Sequence, residues 1–118
     1  MKTMTMTTLE QTLAALEEAV AERGEDYVYD EHDDGGHCVY VKDGRPSCLV
    51  GNALVKLGVI TVEELVPFET KSANYVTRAL NAPVAVQAAL CRAQAVQDDG
   101  EPWGAALEQA KRVAEKNG

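Results

Sequence analysis

A chain of 118 residues, 46% hydrophobic but only 5% aromatic, is one domain by length, with a core drawn largely from alanine and valine. No apolar run reaches about 18 residues, which excludes a membrane-spanning helix, and the start MKTMTMTTLE lacks the apolar stretch of a secretory signal. A formal net charge of −8 disfavours direct nucleic-acid binding, which needs bases to displace phosphate counterions, and disfavours contact with anionic membranes.

In chain order, residues 1–6 read as a polar, frayed lead-in and residues 7–118 as a single globular domain. Leu9, Leu13, Leu16 and Val20 form one apolar stripe at helical spacing. Thr7 with Glu10, or Thr8 with Gln11, offers a capping box for this first helix, and Gly24 after Arg23 offers a stop. Two β-like runs follow, YVYDEH and HCVYVK. A two-residue turn at Asp34-Gly35, or a loop from Asp33 to Gly36, pairs Tyr29 with Tyr40 and Val28 with Val41. One face of that hairpin carries Val28, Val39, Val41, Asp30, His32 and His37. The other carries Tyr27, Tyr29, Tyr40, Glu31 and Cys38. A lone hairpin is marginal in water, so one face must lie on the helices.

KDGRPS then turns the chain into a second helix over roughly residues 47–57, with Val50, Ala53, Leu54 and Leu57 inward and Gly58 as its stop. Gly51 inside it costs about 1 kcal/mol relative to alanine, which implies close approach of another backbone. Thr61 and Glu64 predict a capping box on a short third helix stopped by Pro67. Residues 72–80 predict a fourth, with Tyr75, Val76, Ala79 and Leu80. Asn81 is expected to cap a fifth helix, with Pro83 in its first turn. That helix runs to about residue 97 and is central, because Val86, Ala89, Leu90 and Ala93 make it apolar over a wide arc. QDDGEP breaks it, and Trp103, Leu107, Ala110 and Ala114 line the last helix, with Trp103 read first as a core plug and second as an exposed contact for a partner. The predicted fold class is α+β: a mostly helical single domain of five to six helices, with one β-hairpin inserted after the first helix.

Two stretches, CVYVKDGRPSCLVGNALVKLGV and AQAVQDDGEPWGAAL, resemble small hypothetical proteins common in actinobacteria and their phages. They cover roughly a third of the chain. The resemblance implies an accessory gene of a phage or mobile element and carries no activity, cofactor or site residue with it.

The residues that could carry chemistry begin with EHDDGGHCVY. In the expected register His32 and His37 face each other with Asp30 beside them, and cross-strand Cβ atoms lie about 5 Å apart. Two imidazoles at that distance could share a zinc ion. Zinc takes three or four protein ligands, however, Cys38 points to the other face, and no CxxC or HxxxH spacing occurs. DEHDDGG also lacks the frame of an EF-hand. A solvated turn accounts for these residues, so no metal and no cofactor is expected. Cys48, at the first turn of the second helix with Asn52 one turn on, has the residue types of a Cys-His-Asn arrangement. Its apolar neighbours read instead as a buried structural thiol. Three scattered cysteines (Cys38, Cys48 and Cys91) make no disulfide framework and suit a reducing cytoplasm.

The charge distribution points elsewhere. Residues 10–34 hold ten acids against Arg23 alone, a local charge of about −9, while the other nine acids and ten bases sum to about +1. A surface of one sign steers a partner of the other. The sequence therefore predicts a non-enzymatic interaction protein whose Glu17, Glu18, Glu22, Asp33 and Asp34 meet a protein partner with a basic surface. The rival classes are a metal or thiol enzyme using His32, His37 and Cys48, a DNA-mimic inhibitor, and a structural homodimer.

Overall fold

The computed structural model describes residues 9–29, 40–42, 44–68 and 73–117. Among them are six α-helices and a two-stranded antiparallel ladder that follows the first helix, an α+β architecture that is mostly helical. The expected lead-in at residues 1–6 and the Thr7 and Thr8 caps lie outside the described residues.

Helix α1 spans Leu9–Arg23 and buries Thr12, Ala15, Leu16, Ala19 and Val20. Leu9 and Leu13 are only half-buried, so the contact face is rotated from the leucine stripe toward Ala15 and Ala19. Small side chains there let α1 lie close to its neighbours α2 and α6. Gly24, at φ +99°, donates its N–H to the Val20 carbonyl at 2.6 Å, the left-handed stop that only glycine adopts without strain.

The hairpin corrects the expected register. Strand β1 (Val41–Lys42) pairs with β2 (Arg45–Pro46), with Val41 opposite Pro46 and Lys42 opposite Arg45. KDGRPS therefore spans a hairpin connection, with Gly44 at φ +75°, rather than a simple lead into the next helix. Val28 does not pair with Val41, nor Tyr29 with Tyr40. Val28 bridges Pro102 in antiparallel fashion instead. The short connection from Lys42 to Arg45 closes β1 on β2 at small entropic cost, and the segment after α1 pairs with the start of the last helix instead. Tyr29 and Tyr40 are both buried while Val28 is 44% exposed, so the tyrosine side of this segment is the one packed inward.

Helix α2 (Leu49–Lys56) carries Gly51 where a Cβ would stand 3.0 Å from the Tyr40 carbonyl oxygen, the close backbone approach that its sequence implies. Helix α3 (Val62–Leu65) has the predicted capping box from Thr61 and Glu64 and runs on into a 3₁₀ turn at Val66–Phe68. Helix α4 (Ala73–Ala79) ends in a way the sequence misassigned. Asn81 does not cap the next helix; it sits at φ +55°, donating to Arg78 O, while Ala82 donates to Thr77 O. This is the paired closure of a helix carboxyl end, in which asparagine substitutes for glycine in the left-handed position. Pro83 takes the cap position of α5 (Val84–Asp98) and contributes no side-chain hydrogen bond.

Helix α5 buries Val86, Ala89, Leu90 and Ala93 and touches α1, α2, α4 and α6 (Trp103–Asn117), so it is the central element. Helix α6 buries Trp103, Ala106, Ala110 and Ala114, and Leu107 is half-buried. Trp103 is fully buried, its ring edge-on to Tyr27 at 4.8 Å with the Arg23 guanidinium 5.4 Å from its centroid.

The N-terminus of α6 is held by the segment leaving α1. Trp103 N–H donates to Tyr27 O at 2.8 Å and Gly104 N–H to Glu25 O at 2.9 Å. Two of the helix's first amide donors are thus satisfied by backbone carbonyls rather than by a capping side chain. The approach requires glycine: a Cβ at position 104 would stand 2.9 Å from Glu25 Cβ and from Glu25 O. Gly104→Ala should therefore destabilise the fold by about 1–3 kcal/mol, the cost of forcing an extra methyl into a packed contact, despite alanine's better helix propensity. Urea unfolding followed by far-UV circular dichroism checks this.

Candidate functional site

Of the sequence-predicted site residues, Asp30, His32, Asp33, Asp34 and His37 lie outside the described residues. Among the described residues no group of three or more His, Cys, Asp or Glu side chains is placed to hold a metal ion, and no helix is long and apolar enough to cross a membrane. The predicted residues that can be placed are Cys48 and the glutamates of α1.

Cys48 is the N-cap of α2. Its backbone is extended, and its sulfur accepts from Gly51 N–H at 3.4 Å. The side chain is fully buried. Asn52 does not face the thiol: its Nδ2 donates to the carbonyls of Ser47 at 3.2 Å and Cys48 at 2.9 Å. The two residue types are adjacent, but their geometry locks the turn before α2 instead of activating a nucleophile. A second donor at this helix end is met from far along the chain. The fully buried Gln97 of α5 accepts Leu49 N–H through Oε1 at 2.8 Å and donates through Nε2 to Asp98 Oδ1 at 2.8 Å. Beside it Gln94 Nε2 donates to Tyr40 Oη at 3.1 Å, and Tyr29 Oη shares a hydrogen bond with Ser47 Oγ at 2.9 Å. This buried polar layer joins the hairpin, α2 and α5, and a satisfied network of this kind fixes one packing arrangement.

The outer face of α1 is acidic, and cations from distant segments reach it. Lys56 of α2 pairs with Glu22 and approaches Glu18 at 3.8 Å. Lys111 of α6 pairs with Glu17 at 2.6 Å. The Glu17 carboxylate that accepts its hydrogen bond holds the Lys111 ammonium above the usual lysine range. That link favours the charged ammonium, so it is at full strength below the ordinary lysine pKa and fades as pH rises through the raised value. The three glutamates singled out in the sequence thus also stitch α1 to α2 and α6. These are exposed pairs, each of modest worth.

A second acidic region forms where the sequence offered only a chain break. The contacts of Glu25, Tyr27 and Val28 with Pro102, Trp103 and Gly104 bring the exit of α1 beside the turn between α5 and α6. Glu25 and Asp26 from the first segment, and Asp99 and Glu101 from the second, are all exposed. None of these four has an ion-pair partner among the described residues. The exposed Val28 lies between the two segments. Part of this charge is structural: acids beside the first turn of α6 oppose its positive end favourably. The same acids stand beside the carboxyl end of α5, however, where the dipole disfavours them.

In the sequence Glu25 and Asp26 belong to the acidic third, with nothing to join them to QDDGEP. The only signal was a shared sign of charge; the juxtaposition comes from a bridge between residues 28 and 102. Gln97 had no signal at all, because its partner lies 48 positions away.

No protein-family model, curated protein or solved structure matches this chain.

Two outcomes follow from the geometry at α2. Gln97→Met keeps the volume but leaves the Leu49 amide buried without its acceptor, and should cost about 1–3 kcal/mol in urea unfolding. In the folded protein at neutral pH, iodoacetamide should label Cys91 before Cys48. Cys91 is half-buried and reacts slowly because burial pushes its thiol pKa up, whereas Cys48 must wait for α2 to open. Peptide mapping of the labelled protein reads the order directly.

Proposed function

We propose that this chain is a small non-enzymatic accessory protein, of the phage or mobile-element kind its sequence resembles, that acts by protein–protein interaction through an acidic surface toward a basic partner. The observation that carries this reading is that backbone contacts bring two exposed acidic segments together, Glu25 and Asp26 from one and Asp99 and Glu101 from the other, four acids with no cation paired to them among the described residues, beside the exposed Val28. Exposed charge of one sign next to an exposed apolar side chain suits a docking site: the charges speed and orient encounter, and the apolar contact excludes water. Asp33 and Asp34 belong to the proposed surface on sequence grounds. Glu17, Glu18 and Glu22 contribute less, because Lys111 and Lys56 already engage them.

The rival readings draw less support. A DNA mimic needs negative charge along an extended surface, and here the α1 face is interrupted by two lysines. A thiol enzyme built on Cys48 needs access that a fully buried side chain does not have.

The test is quantitative capture of a partner from the natural host, followed by salt titration. Raising salt from about 0.05 M to about 0.5 M shrinks the Debye length to a few ångström and should release the partner. The double change Asp26→Lys with Glu101→Lys should weaken binding about tenfold or more, and Glu18→Gln only about twofold. A partner whose retention ignores both salt and the double change would refute the electrostatic reading.

A further inference from the structure

Positive charge gathers in a groove between α5 and α6. These helices are joined by residues 99–102 and run back along each other as the most extensively packed pair in the fold. Between them opens a groove of about 530 Å³ lined by Arg92 of α5 and by Gln109, Arg112, Val113, Glu115 and Lys116 of α6. Three of the eleven lysines and arginines of a chain with net charge −8 therefore converge on one concavity that contains a single carboxylate, Glu115.

We propose that this groove binds a compact, phosphate-bearing small ligand. Like charges one helical turn apart, as Arg112 and Lys116 are, repel each other, and Arg92 adds a third from the facing helix. Arg112 is partly offset by Glu108 at 3.5 Å, but both are well exposed. Neither the Arg92 nor the Lys116 side chain has an ion-pair partner among the described residues. Position on the helix explains some of this: Arg112 and Lys116 lie in the last two turns of α6, whose negative end favours cations. Arg92 is in the body of α5 and has no such reason to be there.

The chemistry of the lining selects the ligand class. Guanidinium groups present planar forks that bind phosphate or carboxylate oxygens through two parallel hydrogen bonds. Gln109 adds an amide donor, and Val113 offers an apolar patch for the remainder of a ligand. The groove's volume falls within the range of small-molecule sites. An extended acidic peptide suits it less, because Glu108 and Glu115 would repel a long anion continuing along α6.

The probe is sodium pyrophosphate, titrated into the full chain at constant ionic strength against chloride, with the arginine Nε–Hε signals followed by NMR. Saturable binding is expected, with the Arg92 and Arg112 signals moving together. Arg92→Gln and Arg112→Gln should each weaken it about tenfold, while Arg45→Gln on the hairpin should change it less than about twofold. Far-UV circular dichroism verifies that each variant is folded, and Lys116→Gln serves in place of any that is not. Non-saturating shifts, or equal losses in the hairpin variant, would overturn the proposal. So would saturable, Arg92-dependent binding of a glutamate-rich peptide with no response to pyrophosphate, which would make the groove a site for acidic protein segments.

Discussion

The contact on which the rest of this molecule depends is the short backbone clamp between the chain leaving α1 and the chain entering α6. Tyr27 and Glu25 carbonyls receive the first amides of α6, Val28 bridges Pro102, and Gly104 permits the approach. Without it, the first and last helices would meet through side chains alone. With it, the start of α6 is fixed relative to the end of α1, Trp103 is driven beneath Tyr27 and Arg23, and two acidic segments far apart in sequence come to lie side by side. The same few hydrogen bonds thus cap a helix, seat the largest side chain of the core and assemble the surface proposed to meet a partner.

The sequence shows where the acids cluster but not what faces them. Lys56 and Lys111 approach α1 from α2 and α6, positions set by tertiary packing. As a result the glutamates of α1 divide their role between holding helices together and presenting negative potential. The acids beyond Gly24 do not, because they border a turn where no described cation reaches them. Three further cations, Arg92, Arg112 and Lys116, line the α5–α6 groove. A net charge of −8 therefore conceals a separate cluster of cations in a predominantly acidic molecule.

The helices were largely legible because each rests on local signals. Gly24, the Thr61–Glu64 box and the apolar spacing of Val86, Ala89, Leu90 and Ala93 act within a few residues of themselves. The errors came where a local signal has two meanings or where the partner is remote. Asn81 precedes Pro83 and resembles an N-cap, yet the same residue type tolerates the left-handed conformation that closes the preceding helix. Two valine- and tyrosine-rich runs resemble the arms of one hairpin, but β1 closes on β2 across the much shorter connection from Lys42 to Arg45. The buried role of Gln97, and the pairing of Val28 with Pro102, are contacts between residues tens of positions apart. No periodicity announces such contacts. Of the candidate site, the sign of the charge was readable and its assembly was not.

Trp103 is the chain's single tryptophan, and it sits at the seam between the two segments that form the acidic end. Any event that pulls Tyr27 or Arg23 away from its indole changes the electronic surroundings of that one ring. The molecule thus carries an intrinsic optical reporter at the place where docking is proposed. Its emission would register a partner's arrival there without any attached dye.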